Sequence, residues 1–109
     1  MASAAVMKQM KDFISIVDSC GITLRKAFLF GSYAKDKQTE YSDIDVALVA
    51  DEFCNVPSED VKLFMKAMLK YYMVQPQTYN TKDFSPDSDP FVKEILRTGI
   101  DIKSLVVSR

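Results

Sequence analysis

The sequence predicts an α+β fold, a small mixed β-sheet with helices packed on it. Apolar residues recur at three- and four-residue spacing across residues 4–20, 58–72 and 90–96, the periodicity of helices with one buried face. Between those segments lie short apolar runs bounded by turn residues, which read as buried strands. The resulting order is α-β-β-α-β-α with a short closing strand, and it departs from the regular alternation of a parallel βαβ sheet.

In the first helix Ala4, Met7, Met10, Phe13, Ile14, Val17 and Cys20 share a face, with Lys8, Lys11, Asp12 and Asp18 between them. Gly21 ends it as a C-terminal cap. Residues 23–30 close on Ala27-Phe28-Leu29-Phe30 directly before Gly31, a buried strand feeding a tight turn. Residues 35–42 are polar and aperiodic and are expected to form a loop. Residues 43–50, DIDVALVA, make a second strand with carboxylates at its start.

Ser58 is expected to cap the next helix, which buries Val61, Phe64, Met65, Met68, Leu69 and Tyr72. Lys62, Lys66 and Lys70 line its opposite face and are expected to be solvated. Residues 73–79 form the third strand, and Pro76, which has no N–H to donate, suggests an edge or irregular position for it. Asp89 caps the last helix, with Pro90 in its first turn, Phe91, Val92, Ile95 and Leu96 inward, and Gly99 as its stop. Residues 100–102 are expected to add a short strand. No repeat or linker interrupts the chain, so residues 1–109 are expected to form one domain.

Composition narrows the chemistry. With 14 basic and 15 acidic residues the net charge is −1, which does not indicate nucleic-acid binding, since that requires a basic surface. The absence of histidine excludes a Ser-His-Asp triad, a Cys-His pair and a His-ligated zinc site. Cys20 and Cys54 are too isolated for a metal-binding or disulfide framework and are expected to be buried free thiols of a cytoplasmic protein. No segment reads as a signal peptide or a membrane span, so no membrane association is expected. Tyr71, Tyr72 and the methionines suit either a core or an interface, including a homodimer.

One stretch carries chemistry: Gly31-Ser32-Tyr33-Ala34, eight further residues, then Asp43-Ile44-Asp45. Alternation along a strand projects Asp43 and Asp45 from one face and Ile44 from the other. Two adjacent carboxylates repel each other, and a hard divalent cation with oxygen ligands relieves that repulsion. Gly31 permits special dihedral angles at the strand end, and Ser32 offers a hydroxyl and backbone N–H groups to a phosphate. Together they suit a nucleoside triphosphate whose oxygens meet a cation held by the two aspartates.

The stretch GSYAKDKQTEYSDIDVALV resembles the Gly-Ser…Asp-x-Asp signature of the DNA polymerase beta-like nucleotidyltransferase superfamily. Within that superfamily the chain most resembles the minimal prokaryotic nucleotidyltransferases, the MNT type. The resemblance implies a palm-like nucleotidyltransferase fold and Mg²⁺- or Mn²⁺-dependent transfer of a nucleoside monophosphate from an NTP, typically ATP, to an acceptor hydroxyl. It implies that Gly31 and Ser32 bind the nucleotide and that Asp43 and Asp45 are the catalytic, metal-binding residues. Relatives of this size work beside a HEPN-type protein, some as antitoxins that modify it with AMP.

Two positions depart from the family pattern. Asp36 stands where many relatives have a second glycine, and Gln75 takes the place of the third carboxylate, with Gln77 on the same strand face. Glutamine offers a neutral oxygen but cannot act as a general base. Glu40 and Asp83 are candidate substitute acids. The alternative to an active transferase is therefore a catalytically impaired module that works by binding nucleotide or protein.

Overall fold

A computed structural model describes residues 4–31 and 43–103. Helix α1 (Ala4–Ser19) buries Met10, Phe13, Ile14 and Val17 of the predicted stripe, while Met7 and Cys20 are half-buried and Ala4, in the first turn, is exposed; Gly21 turns the chain out of it with φ of 83°. The strands are β1 (Leu24–Phe30), β2 (Ile44–Ala50), β3 (Val74–Asn80) and β4 (Ile100–Asp101). They form one sheet in the order β3-β2-β1-β4. β1 runs antiparallel to β2 and β4, whereas β3 lies parallel to β2, so the sheet is mixed as expected. The Pro76 strand is at an edge, where a missing N–H is tolerated.

The two sides of β2 explain its almost unbroken apolar run. Ile44, Val46, Leu48 and Ala50 join a core with Met10, Phe13, Ile14 and Val17 of α1. Ala47 and Val49 face the opposite layer, with Phe28, Tyr79 and two residues of the last helix, Val92 and Ile95. A strand covered on both faces has no polar side to show. Polar bonds knit the sheet end remote from Asp45, where Asp51 takes Arg25 at 2.7 Å and the Thr81 hydroxyl at 2.6 Å.

The segment after β2 differs from its prediction. It is three pieces: α2 (Pro57–Asp60), a 3-10 turn (Val61–Phe64) and α3 (Met65–Lys70). Pro57 takes the first-turn position, so the cap falls on Val56, without a side-chain bond, and Ser58 lies inside the turn. Phe64, at φ −132° and ψ 37°, breaks the helix and shifts the phase of α3. Phe64 and Ala67 are buried and Val61 and Met68 half-buried, while Met65, Leu69 and Tyr72 are exposed. The lysine row is exposed as expected, with Lys62 on Glu59 at 3.2 Å and Lys70 on Asp12 at 2.7 Å.

Asp60 is a charged residue with no sequence signal for burial, yet it is 2% exposed. Its Oδ1 accepts from the Cys54 backbone N–H at 2.9 Å and its Oδ2 from the Thr78 hydroxyl at 2.6 Å, which ties α2 to β3. Neither cysteine is fully buried: Cys20 is half-buried and Cys54 exposed, both free thiols.

Asp89 caps α4 (Pro90–Thr98) as predicted, accepting from the Phe91 N–H at 2.9 Å, and Gly99 ends it. Val92 and Ile95 are buried, but Phe91 and Leu96 are more than two-fifths exposed, because so short a helix touches the sheet along one line. Among the described residues no helix is long and apolar enough to cross a membrane.

Candidate functional site

The first strand ends at the turn where sequence placed its chemistry. Phe30, the last residue of β1, lies opposite Asp45 in the antiparallel pair. Gly31 follows with φ of 75°, in the left-handed region that glycine adopts at little cost. A Cβ at this position would collide with the Asp45 carboxylate, so glycine serves both the turn and the space the carboxylate occupies.

Asp45 is half-buried and Asp43 exposed, one residue before β2 begins. Ile44 between them is buried with α1 in the other layer. Burial first, and then the charge of Asp43, hold the Asp45 carboxyl above its ordinary range. Two carboxylates in this relation are hard oxygen donors with an unrelieved repulsion. The residues fit a divalent cation.

On the other flank of Asp45, the parallel register sets Gln75 directly opposite it and Gln77 opposite Ala47. Gln75 is exposed and Gln77 half-buried, on the same sheet side as Asp45. Asp83 lies beyond the far end of β3, bonded to Asn55 at 2.8 Å, and does not replace the missing acid. Among the described residues no group of three or more acidic, cysteine or histidine side chains could hold a metal. Ser32, Asp36 and Glu40 lie outside the described residues.

Aromatic residues that sequence treated as strand and helix filler border this turn. The rings of Phe30 and Phe91 meet edge to face at 5.5 Å, and they line a cavity of about 190 Å³ with Gly31, Glu94, Ile95 and Thr98. Phe91 is legible as an apolar position of α4, but periodicity alone gives no sign that its ring stays half in solvent.

A family model described as polymerase beta nucleotidyltransferase matches residues 14–105. A Methanocaldococcus jannaschii protein assigned as a protein adenylyltransferase is 39% identical over 69 residues, which span 62% of this chain and 65% of that protein. The match thus covers just under two thirds of that relative. A Sulfolobus solfataricus structure assigned as a nucleotidyltransferase superposes with a TM-score of 0.61 at 16% identity, covering 87% of this chain and 77% of the other. A toxin–antitoxin structure with AMP-PNP gives 0.61 at 20% identity, over 86% and 71% of the two chains. At such identities the likeness establishes a shared fold.

Proposed function

The chain belongs to the polymerase beta nucleotidyltransferase family, and from that footing we propose that it transfers a nucleoside monophosphate from an NTP, ATP by preference, to an acceptor hydroxyl. The observation that carries this reading is the pair Asp43 and Asp45 beside a left-handed turn that only glycine can make without striking Asp45. Gly31 and Ser32 hold the triphosphate through backbone N–H groups and a hydroxyl. Asp43 and Asp45 hold Mg²⁺ or Mn²⁺, which when bound offsets charge on the phosphate oxygens. The half-buried position of Asp45 strengthens its attraction for a cation relative to an exposed carboxylate.

The similarity to an adenylyltransferase and to a toxin–antitoxin structure supports AMP transfer within such a pair; the HEPN-type partner of this reading rests on the Gly-Ser…Asp-x-Asp resemblance. The same reading takes residues 1–109 as one catalytic unit working in the cytoplasm. A homodimer is the competing assembly.

A second reading has its own observation. Gln75 stands in register with Asp45, so the third strand supplies no base for the acceptor hydroxyl. On that reading the domain binds nucleotide and transfers it slowly or not at all. Calorimetric titration with a non-hydrolysable ATP analogue, with and without Mg²⁺, tests the shared premise. Saturable Mg²⁺-dependent binding that disappears in Asp43→Asn/Asp45→Asn supports the site, and binding retained in that double variant refutes it. AMP transfer to a co-purified partner then separates an active transferase from an impaired one.

A further inference from the structure

A second cavity, of about 390 Å³, opens on the α4 side of the sheet beside Gln77, two residues along β3 from Gln75. Asn55, Tyr79, Asp83, Asp89 and the exposed ring of Phe91 complete most of its wall. Tyr79 is 7% exposed, and its ring packs against Phe84 at 5.1 Å. Its hydroxyl has no hydrogen-bond partner among the described residues, although Tyr79 lines the cavity and feels the charge of Asp89. A largely buried hydroxyl without a protein partner is costly, and a polar ligand entering the cavity can satisfy it.

The carboxylates point to the charge of that ligand. Asp89 uses Oδ1 to cap α4 through the Phe91 N–H, and Asp83 uses Oδ2 to accept from the Asn55 amide. Among the described residues, each keeps a second oxygen with no partner and no lysine or arginine lines the cavity. Asn55 is committed as well, its Oδ1 accepting from the Asn80 N–H at 2.7 Å. Two acceptor oxygens of negative charge, a hydroxyl, the Gln77 amide and an aromatic face are left. A flat cation rich in N–H donors matches that set. A guanidinium presents five donors in one plane and stacks on aromatic rings, whereas an ammonium is compact and more strongly hydrated.

We infer that this cavity takes a guanidinium, the arginine side chain of a protein acceptor, seated one step along the sheet from Asp45 and Gln75. The inference names the acceptor class for the transferase reading and rests on that reading for the role of the cavity, while the ligand stands on the cavity alone.

The test is a two-dimensional NMR titration of the full chain with N-acetyl-arginine N-methylamide, and in parallel with its neutral citrulline counterpart. Saturable shifts at Asn55, Gln77 and Tyr79 are expected, with citrulline weaker by roughly tenfold or more because it lacks the charge. Asp83→Asn/Asp89→Asn should weaken arginine binding by a similar factor, and asparagine at 89 still caps α4. Tyr79→Phe should weaken it about threefold while keeping the ring packing. Equal binding of citrulline, shifts centred elsewhere, or no saturation at tens of millimolar overturns the inference. Agmatine binding where the blocked arginine does not overturns the protein source. Asp43→Asn/Asp45→Asn should leave arginine binding intact, so failure of this cavity and failure of the nucleotide site are read separately.

Discussion

Gly31→Ala perturbs the turn in two separable ways, and Gly21→Ala supplies the reference for one of them. Both glycines have left-handed φ, 75° and 83°, which costs an L-residue about 1–2 kcal/mol. A methyl group at Gly21 meets nothing within 4 Å, so that variant should lose only this amount. At Gly31 the methyl strikes the Asp45 carboxylate, whose side chain must leave its rotamer at a further cost of about 0.5–1.5 kcal/mol. Urea unfolding should therefore rank Gly31→Ala below Gly21→Ala by about 1 kcal/mol, within a total stability of roughly 5–15 kcal/mol that leaves both folded. In an Asp45→Ala background the obstacle is gone, and Gly31→Ala should cost no more than Gly21→Ala does. That difference is a coupling energy read from a double-mutant cycle. Equal costs for the two glycines, or a Gly31→Ala cost unchanged by Asp45→Ala, would refute the close approach between turn and carboxylate.

Three other positions give further expectations. Asp60→Ala leaves the Cys54 N–H and the Thr78 hydroxyl without their buried acceptor and should destabilise by about 3–5 kcal/mol, whereas Asp60→Asn, which can still bond both, should lose about 1–2 kcal/mol; urea midpoints with unchanged slopes check both. Asp51 is held at about 2, below the ordinary 3.8, by hydrogen bonds from Arg25 first and then Thr81. Its contribution is therefore complete above about pH 4 and is lost as pH falls toward 2, so Arg25→Met should flatten acid unfolding in that window, measured by circular dichroism. Gln75→Glu, opposite Asp45 in the sheet, should raise Mg²⁺ affinity roughly tenfold or more and increase any transfer rate; calorimetry and a labelled-nucleotide assay read the two effects, and no change in either would remove Gln75 from the site.

The fold is legible wherever one strong local signal sets the structure. The α1 stripe, the Gly21 stop, the Asp89 cap and the Pro76 edge each come from a periodicity or a backbone constraint that neighbours reinforce. The segment after β2 escapes such a reading because its dominant force is not periodic. The buried carboxylate of Asp60 ties the first turn to Thr78, and Phe64 breaks the helix before the apolar stripe can complete itself. No hydropathy pattern marks a buried aspartate whose partners lie on another strand. At the site, alternation predicts the shared face of Asp43 and Asp45, and alignment to the third strand predicts Gln75 beside them. The Tyr79 cavity is illegible for the opposite reason. Its walls come from a loop, a strand and a helix that only tertiary packing brings together.

The two aspartates differ in how firmly the backbone carries them. Asp45 sits within an interior strand, with Phe30 on one side and Gln75 on the other, while Asp43 precedes the first paired residue, Ile44, whose N–H donates to Met73 at 3.1 Å. One carboxylate is thus set by the sheet, and its companion lies just before the first bonded residue of the strand. With the cation of the proposed reaction held by this pair, ions of unequal radius would be met by adjusting the exposed member, so substitutions around residue 43 are expected to tune ion-size tolerance while the strands keep their register.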